Sequence, residues 1–381
     1  MNERERILKI RDLDISFTTD NGEVKAVRGV DLDLHKGETI AIVGESGSGK
    51  SVTTKAVMGI LAGNGHINNG SIEYRYIDLS PERIREVTEK YDGVIPEGYE
   101  KEEEKKVVDI TKQSKKFIQS QIRGRRIAMV FQDPMTSLDP TMTIGKQVME
   151  AMRFHYETPK KEAWDRAVKL LELVGITDAQ KRMKNYPHQL SGGMRQRVVI
   201  AIALSCDPDV LICDEPTTAL DVTIQAKILE LIKDIQKKKQ LSVIYITHDL
   251  GVVAKVADFV NVMYAGRIIE SGSVNDIFYD PRHPYTWGLL ASLPDVDSNS
   301  DELYTIPGTP PNMIREIKGD AFAARNPFAL KIDEKLAPPM FQVSETHRVA
   351  SWLASPYAPH VEMPQDLKER IEKNKREAKL V

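Results

Sequence analysis

A glycine-rich segment near the N-terminus carries the strongest chemical signal in the sequence. It reads GESGSGKS, with four residues between Gly44 and Gly49 and a Lys-Ser pair at its end. Glycines at this spacing let successive backbone amides turn toward one anion, and a helix start adds positive potential. Lys50 would hold the β and γ phosphates of a nucleotide, and the Ser51 hydroxyl would bind Mg²⁺. The segment predicts a nucleoside triphosphate site made of Gly44, Glu45, Ser46, Gly47, Ser48, Gly49, Lys50 and Ser51.

Two adjacent carboxylates, Asp214 and Glu215, follow the apolar run VLIC. A buried strand that ends in two acidic residues is costly unless a cation lies nearby, because adjacent like charges are removed from water. Asp214 is therefore predicted to hold Mg²⁺ through water, and Glu215 is the candidate general base for an attacking water. The pair points to hydrolysis of the nucleotide as well as its binding.

Alternating strands and helices must position these groups. Residues 7–43 have strand patterns, and the last of them, ETIAIV, is an apolar run that leads into Gly44. SVTTKAVMGIL has helical spacing after Lys50, while RIAMVFQ, DVLICDEP and LSVIYITHD are apolar strands separated by helical segments such as VTIQAKILELIKDIQKKK. This alternation predicts an α/β fold with a mainly parallel sheet, preceded by a β-rich N-terminal part.

Composition divides the chain into a core and a C-terminal extension. The core is expected over residues 1–280, interrupted by a charged, solvated insertion near 80–122 and a helical subdomain near 134–195. Prolines become frequent over 281–355, which predicts an appended region built largely from turns. Residues 356–381 are highly charged and are predicted to form a solvated helix or a frayed tail.

The composition also excludes several classes of protein. The 381 residues include 53 lysines and arginines against 56 aspartates and glutamates, so the net charge of -3 gives no case for a nucleic-acid partner. The two cysteines, Cys206 and Cys213, lie in apolar stretches, as is typical of a reducing compartment. The N-terminus lacks the apolar segment of a signal peptide, and no window approaches about 18 uninterrupted apolar residues. A cytoplasmic protein that does not itself cross the membrane is expected.

The segment LSGGMRQ, from Leu190 to Gln196, resembles the signature motif of ATP-binding-cassette (ABC) ATPases, and it precedes Asp214 as in that family. By the same resemblance, Gln132 is the Q-loop glutamine, which senses the γ phosphate and Mg²⁺, and His248 is the switch histidine. Phe17 is a candidate to stack on adenine, with a place in the hydrophobic core as the open alternative. The remaining nucleotide contacts that the resemblance implies are Ser191, Gly192, Gly193, Gln196 and, in the D-loop Ala219-Leu220-Asp221, Asp221.

Longer matches narrow the resemblance to ATPase subunits of the dipeptide, oligopeptide and nickel group of importers. They include FQDPMTSLDP at 131–140, YPHQLSGGMRQR at 186–197 and HPYT at 283–286. The resemblance implies Mg²⁺-dependent ATP hydrolysis at the cytoplasmic face of the membrane, with residues 133–143 near a membrane subunit. The implied partners are a second, different ABC ATPase chain, two membrane permease subunits and, indirectly, an extracytoplasmic solute-binding protein. A homodimer also stays open, because this chain has a complete set of motifs.

One departure from this group lies in the C-terminal region. Many relatives carry four cysteines there, in text such as GCxFxxRCPxAxxxC, that resemble ligands of an iron–sulfur cluster. The corresponding positions here are Asp320, Asn326, Asp333 and Ser351. Because cluster iron needs soft thiolate ligands, we expect no iron–sulfur cluster. A hard-cation site made of these oxygens and a loop held only by hydrogen bonds and packing both remain open.

The leading interpretation is an ATPase that powers import of a dipeptide or oligopeptide, and three alternatives remain. The same machinery could serve an oligosaccharide or nickel, because the ATPase does not contact the solute. A soluble ABC ATPase of translation or DNA repair would usually carry two cassettes or a long coiled coil, and neither pattern occurs in this sequence. A silent nucleotide-binding regulator would be expected to lack Glu215 or His248, and both are present.

Overall fold

The computed structural model of the chain contains one mixed and one antiparallel β-sheet with helices around them. It describes residues 5–91, 95–96, 104–218, 220–293 and 305–377. Part of the predicted charged insertion, Ala219 of the D-loop and the last residues of the predicted tail lie outside these ranges. None of the helices in the described ranges has both the length and the apolar composition of a membrane span.

The strands carry the alternating or continuous apolar patterns that favour extended backbone. Short loops connect several of them, among them the turn at Asn21-Gly22 between the first two strands. In chain order they are β1 (Arg6–Thr19), β2 (Gly22–His35), β3 (Thr39–Val43), β4 (Gly65–Ile77), β5 (Lys105–Asp109), β6 (Ile127–Val130), β7 (Val210–Asp214), β8 (Ser242–Thr247), β9 (Phe259–Tyr264), β10 (Arg267–Ser273), β11 (Phe341–Gln342) and β12 (Arg348–Val349).

Side-chain caps begin several helices, since Asp, Ser and His side chains accept hydrogen bonds from the first free amides. Single 3₁₀ or π turns lie at Ile110–Lys112, Ile118–Ile122, Pro187–Gln189, Ala323–Arg325 and Trp352–Ala354. The α-helices are α1 (Lys50–Val57), α2 (Pro81–Tyr91), α3 (Lys115–Phe117), α4 (Pro134–Ser137), α5 (Ile144–Tyr156), α6 (Lys160–Leu173), α7 (Ala179–Arg182), α8 (Gly192–Ala203), α9 (Val222–Lys239), α10 (Leu250–Val256), α11 (Val274–Tyr279), α12 (Pro284–Ala291) and α13 (Gln365–Glu377).

The larger sheet positions the predicted chemistry. Its strand order is β11-β12-β10-β9-β3-β8-β7-β6, and the strands from β9 to β6 run parallel. β3 lies between β8 and β9, with Ile40 opposite Ile244 and Ala41 opposite Val260. The central strands are buried, as their continuous apolar sequences require. Parallel alignment brings the carboxyl ends of β3, β6, β7 and β8 to one edge, and the α/β prediction is confirmed.

The N-terminal strands form a separate antiparallel sheet in the order β2-β1-β4-β5. Leu8, Ile10 and Tyr74 of this sheet share a hydrophobic cluster with Ile42 and Ile244 of the larger one. A second cluster joins the other side of the larger sheet to α5, α6 and α8. The predicted β-rich N-terminal part is confirmed, and the structure adds that it forms a layer of the core.

The C-terminal region packs into the same hydrophobic core as the larger sheet. β12 pairs with β10, and Phe322 and Leu290 lie in one hydrophobic cluster with Val260 and Tyr264 of β9. Between α12 and β11 the described chain consists mainly of turns and bends, apart from one 3₁₀ turn. The turn-rich character matches the prediction, but α12 and the added strands tie this region into the larger sheet.

Two segments are more ordered than their charged sequences predict. The predicted solvated insertion at 80–122 includes β5, which extends the antiparallel sheet, and Ile118 and Ile122, which are buried. The predicted solvated tail contains α13, whose Leu367 and Ile371 are buried in the same cluster as Phe322. In both cases a few apolar residues are spaced so that they share one buried face. Burial of each stabilises the fold by about 1.5–3 kcal/mol, which is enough to order a segment that is otherwise charged.

Candidate functional site

The phosphate loop follows β3 and leads directly into α1. Gly44, Gly47 and Gly49 have φ angles of 151°, 79° and 104°, which side chains with a Cβ rarely adopt. A Cβ on Gly44 would lie 2.0 Å from the Met263 carbonyl oxygen, and one on Gly49 would lie 2.6 Å from that of Ala26. Glycine is therefore required at both ends of the loop, as the predicted nucleotide site demands.

Lys50 and Ser48 place polar groups inside this loop. Lys50 Nζ donates to the carbonyl oxygens of Gly44 at 2.7 Å and Glu45 at 2.9 Å. Burial lowers the pKa of Lys50, while Glu215 and Asp214 oppose this change. The buried Ser48 hydroxyl has no hydrogen-bond partner among the described residues. Because an unpaired buried hydroxyl is costly, it is a group that a bound phosphate would satisfy.

Ser51 and Asp214 form the predicted metal-binding pair. The Ser51 hydroxyl donates to Asp214 Oδ1 at 2.8 Å, which joins the start of α1 to the end of β7. Burial raises the pKa of Asp214, the Ser51 hydrogen bond opposes this, and adjacent Glu215 adds to the rise. A divalent cation would relieve the repulsion between the two carboxylates. These hard oxygen donors fit Mg²⁺.

Glu215 is the centre of a cluster that contains all the predicted catalytic side chains. Gln132 Nε2 and Thr218 Oγ1 donate to Glu215 Oε2, each at 3.1 Å. His248 Nδ1 lies 3.1 Å from Glu215 Oε1. The Glu215 backbone has φ 47° and its amide donates to Ile246 O of β8 at 2.9 Å. Three side chains from β6, β7 and β8 ends thus fix one carboxylate that could accept a proton from water.

The signature residues lie at the start of α8. Ser191 Oγ accepts a hydrogen bond from the Met194 amide at 3.4 Å, and Ser191 and Gly192 are exposed. A Cβ on Gly193 would lie 2.8 Å from Ile224 Cγ2 of α9. The signature therefore packs closely beside the D-loop and α9 of its own chain, with its exposed helix start available to another molecule.

Gln196 does not join this surface. The sequence resemblance assigns it a nucleotide contact, but its side chain is fully buried on the inward face of α8, and its amide atoms have no partner among the described residues. The prediction for Gln196 is therefore corrected: a buried side chain cannot reach a ligand at the exposed helix start.

Phe17 and Asp221 have structural contacts in the described chain. Phe17 is half-buried, borders the cluster between the two sheets and lies over Gly65, whose Cβ would meet its ring at 2.7 Å. Stacking on adenine and a core position both remain open for this ring. Asp221 caps α9 by accepting from the Ile224 amide at 3.0 Å.

Three residues that contact the site had no predicted role. Thr218 holds Glu215, while Tyr285 and Arg325 contact Glu45 of the phosphate loop from the C-terminal region. All three lie inside motifs that the sequence does display: DEPTT, HPYT and the stretch that matches the cysteine-containing pattern. Their roles depend on contacts across the fold, so motif matching alone names the segments without naming the contacts.

The four positions that replace cysteines each stabilise a local turn. Asp320 Oδ1 accepts from the Phe322 amide at 3.0 Å, Asn326 Oδ1 from Phe328 at 2.9 Å, Asp333 Oδ2 from Leu330 at 2.6 Å and Ser351 Oγ from Leu353 at 3.3 Å. No group of three potential metal-ligating side chains is found in the described ranges. Oxygen acceptors of this kind satisfy backbone amides, which favours a loop held by hydrogen bonds.

The sequence matches two family models. Residues 27–218 match the ABC transporter model, and residues 269–332 match the model of the oligopeptide/dipeptide transporter C-terminal region. The oligopeptide transport ATP-binding protein OppD of Bacillus subtilis (strain 168) is 54% identical over 97% of this chain and 94% of its own length. The dipeptide transport ATP-binding protein DppD of Lactococcus lactis subsp. cremoris (strain MG1363) is 50% identical over 94% and 93%.

Solved structures share the cassette fold. A post-hydrolysis dimer of the ATP-binding cassette MJ0796 matches with a TM-score of 0.55 and 24% identity over 70% of this chain and 99% of that one. cbiO1 from Clostridium perfringens matches with a TM-score of 0.54 and 28% identity over 72% and 92%. The chain belongs to the ABC transporter family, as an ATP-binding-cassette ATPase with an oligopeptide/dipeptide transporter C-terminal region.

Proposed function

We propose that this chain is the ATP-hydrolysing subunit that powers import of a dipeptide or oligopeptide through separate membrane subunits. The main support is the meeting of Lys50, Ser51, Asp214 and Glu215 at one sheet edge, in a chain whose residues 269–332 match a peptide-transporter region. The relatives described above are named for oligopeptide and dipeptide transport. Import of nickel or an oligosaccharide, and a soluble role, have no comparable support.

Different residues of the site would bind the phosphates, hold the metal ion and accept the proton during hydrolysis. The loop amides and Lys50 would bind the β and γ phosphates, while Ser51, Gln132 and Asp214 would hold Mg²⁺. When bound, the cation neutralises phosphate charge and so favours attack at the γ phosphorus. Glu215 accepts the proton of the attacking water, and Gln132, Thr218 and His248 orient its carboxylate through the contacts of 3.1 Å.

A second cassette would complete the site. Ser191 and Gly192 are exposed at the start of α8, a helix of 12 residues whose positive end can bind anionic phosphate. We infer that the signature of one cassette meets the phosphate loop of the other, with Gly193 and Asp221 beside it. ATP would then join the two cassettes, and its hydrolysis would let them separate.

An exposed apolar patch supports a membrane partner. The docking patch consists of Phe131, Met135 and Tyr186, whose side chains are exposed to the extent of 39%, 62% and 38%. Arg195 joins its parts, because the guanidinium contacts Met135 Sδ and donates to Pro187 O at 2.9 Å. Two of the patch residues, Phe131 and Met135, lie on either side of Gln132 in the chain, so a permease that binds the patch would act on the Q-loop. The chain would thus sit at the cytoplasmic face of the membrane and interact with a solute-binding protein only indirectly.

Transport by cells that carry Lys50→Ala tests the function directly. Loss of the lysine should greatly weaken nucleotide binding, because the loop amides and Mg²⁺ alone would then interact with the charged phosphates. Uptake of labelled dipeptide, oligopeptide, oligosaccharide and nickel is measured against cells with the unaltered gene. Peptide uptake should fall to background while the other solutes are unaffected. A selective loss of nickel or oligosaccharide uptake would instead identify the alternative cargo, and unchanged uptake of all of them would contradict a transport role.

A further inference from the structure

The phosphate loop is held from the side by an arginine of the C-terminal region. Arg325 Nη1 and Nη2 donate to Glu45 Oε2 and Oε1 at 2.8 and 3.0 Å, so the pair is bidentate. Arg325 Nε also donates to Pro307 O at 2.8 Å, and Nη1 to the Tyr264 hydroxyl at 3.2 Å. The residue is only 8% exposed. Because a guanidinium carries its donors in fixed directions, these contacts define one orientation of the Glu45 carboxylate.

A second contact fixes the backbone of the same loop residue. The Glu45 amide donates to the Tyr285 hydroxyl at 2.8 Å. The Tyr285 ring packs against Tyr264 and Phe322, with ring centroids 4.7 and 5.4 Å away. The aromatic cluster is buried in the core that the C-terminal region shares with β9. Both the main chain and the side chain of Glu45 are therefore held by groups outside the loop.

The negative charge of Glu45 would weaken phosphate binding at this loop if it were not paired. A carboxylate next to Gly44 lies in a loop built to bind anions, and like charges a few ångströms apart repel strongly in a partly desolvated site. The hydrogen bond with Glu45 is the main cause that raises the pKa of Arg325, so the guanidinium keeps its positive charge. The pair as a whole is neutral, and its repulsion of a phosphate is correspondingly small.

We propose that Arg325 is a positioning residue for ATP binding, which neutralises Glu45 and holds the phosphate loop in its binding conformation. The inference rests on the proposed function, because it requires ATP to bind at this loop. It goes further by giving the C-terminal region a task at the nucleotide site, separate from any contact with the membrane subunits. Tyr285 assists by holding the backbone amide of Glu45.

The affinity of the purified full-length chain for MgATP tests this role. Arg325→Ala should weaken binding about tenfold or more, because it leaves an unpaired carboxylate beside the phosphates. Arg282→Ala is the matched control: it removes another arginine–carboxylate pair of the region, with Asp280 at 2.8 Å, that is half-exposed and away from the loop. That variant should bind within about twofold of the unaltered protein.

A double variant separates the electrostatic role from simple loss of structure. Adding Glu45→Gln to Arg325→Ala removes the unpaired charge, so most of the lost affinity should return. Recovery would not follow if Arg325 only stabilised the fold. Thermal unfolding of each variant is recorded alongside, and Arg325→Gln replaces the alanine variant if that one does not fold.

Two results would overturn the inference. One is unchanged MgATP affinity in folded Arg325→Ala. The other is a loss of affinity that Glu45→Gln fails to recover at equal thermal stability. Failure of the proposed function is recognised separately, because the unaltered chain would then bind no MgATP or Lys50→Ala would bind it equally well.

Discussion

Glu215 is the residue on which hydrolysis depends in the proposed site. Glu215→Gln preserves the size and much of the hydrogen bonding with Gln132 and Thr218 but removes the proton acceptor. We expect turnover to fall about 100-fold or more, with ATP affinity changed by less than about threefold. Phosphate release by the assembled transporter and ATP binding by the chain measure the two effects. Near-normal turnover would exclude Glu215 as the base.

Asp320 is a carboxyl group in an unfavourable position. Burial raises its pKa to about 6 from the usual 3.8, Asp333 adds to the rise, and the Phe322 amide, Arg267 and Arg28 oppose it. Between these values the folded chain binds more protons than the unfolded chain, so stability decreases as pH rises through this window. The cost is fully present above about pH 7 and absent below about pH 4.

Asp320→Asn should remove this cost, because the amide keeps the oxygen that accepts from Phe322 but carries no charge. We expect the free energy of unfolding to increase by about 1–2 kcal/mol at pH 8, a value reduced for partial exposure, with no difference near pH 4. Denaturant unfolding at pH 8, 6 and 4 measures it. A stability difference that is the same at all three pH values would contradict the assignment to this carboxyl group.

Individual residues differ in how far the sequence could predict them. Lys50, Asp214 and Glu215 could be singled out because each lies in a short recognisable segment, Lys50 at the end of the glycine-rich loop after β3 and the two carboxylates at the end of the apolar strand β7. Thr218 and Arg325 were not, since each acts through a contact that only folding creates; Arg325 lies 280 positions from Glu45. Gln196 was wrongly assigned because the resemblance gives a motif, and only the structure shows which face of α8 is buried.

The helix α13 shows how a charged segment can still be part of the core. Leu367 and Ile371 are four positions apart, which places them on one face of the helix, and they are 3% and 5% exposed. Ile371→Ala should lower the free energy of unfolding by about 2–4 kcal/mol through loss of burial and formation of a cavity. Asn374→Ala, at an exposed position of the same helix, should change it by less than about 0.5 kcal/mol. Equal effects in chemical denaturation would mean that α13 is not packed.

The C-terminal region should contain no iron–sulfur cluster. The positions that carry cysteine in many relatives have only hard oxygen or amide groups here: Asp320, Asn326, Asp333 and Ser351. Burial raises the pKa of the Cys206 thiol to about 12, so Cys206 is not available as a thiolate ligand. The purified protein should be colourless, free of iron and sulfide, and without broad absorption near roughly 400 nm. Anaerobic reconstitution with iron and sulfide is the direct test, and stoichiometric uptake would refute the prediction. A Mg²⁺ or Ca²⁺ found between Asp320 and Asp333 would support the hard-cation alternative.

Some secondary-structure elements could also be predicted from the sequence, and others could not. β3, β7 and β8 were predictable because a buried parallel strand needs a continuous apolar run. β5 was missed because its side chains are exposed or only partly buried. A helix was one of the two predictions for the segment of α13, but its packing was not predicted, because Leu367 and Ile371 are buried only by the surface that they contact. The proposed boundary near residue 280 divides the sequence by composition, while the hydrophobic cluster around Tyr264 and Phe322 spans it.

The arrangement of exposed groups implies that this chain works in a larger assembly. Ser191 and Gly192 face outward, as does the docking patch of Phe131, Met135 and Tyr186. We expect a tagged copy purified from the native cell in mild detergent to bring with it a second, different ABC ATPase chain and two membrane subunits. Recovery of this chain alone, or only with copies of itself, would contradict the heteromeric assembly.

A charge placed in the docking patch tests which surface meets the membrane subunits. Met135→Glu should greatly reduce their recovery, because it replaces an apolar side chain by a carboxylate, and even if that carboxylate pairs with the adjacent Arg195, removing both charges from water at the interface costs free energy. Phe154→Glu is the matched control, since Phe154 on α5 is 60% exposed, close to the 62% of Met135, but is not part of the patch. Both variants should bind MgATP as the unaltered chain does, because neither residue contacts the phosphate loop. Equal recovery of membrane subunits with the two variants would mean that they bind elsewhere, and the route from Gln132 to the permease would have to be abandoned.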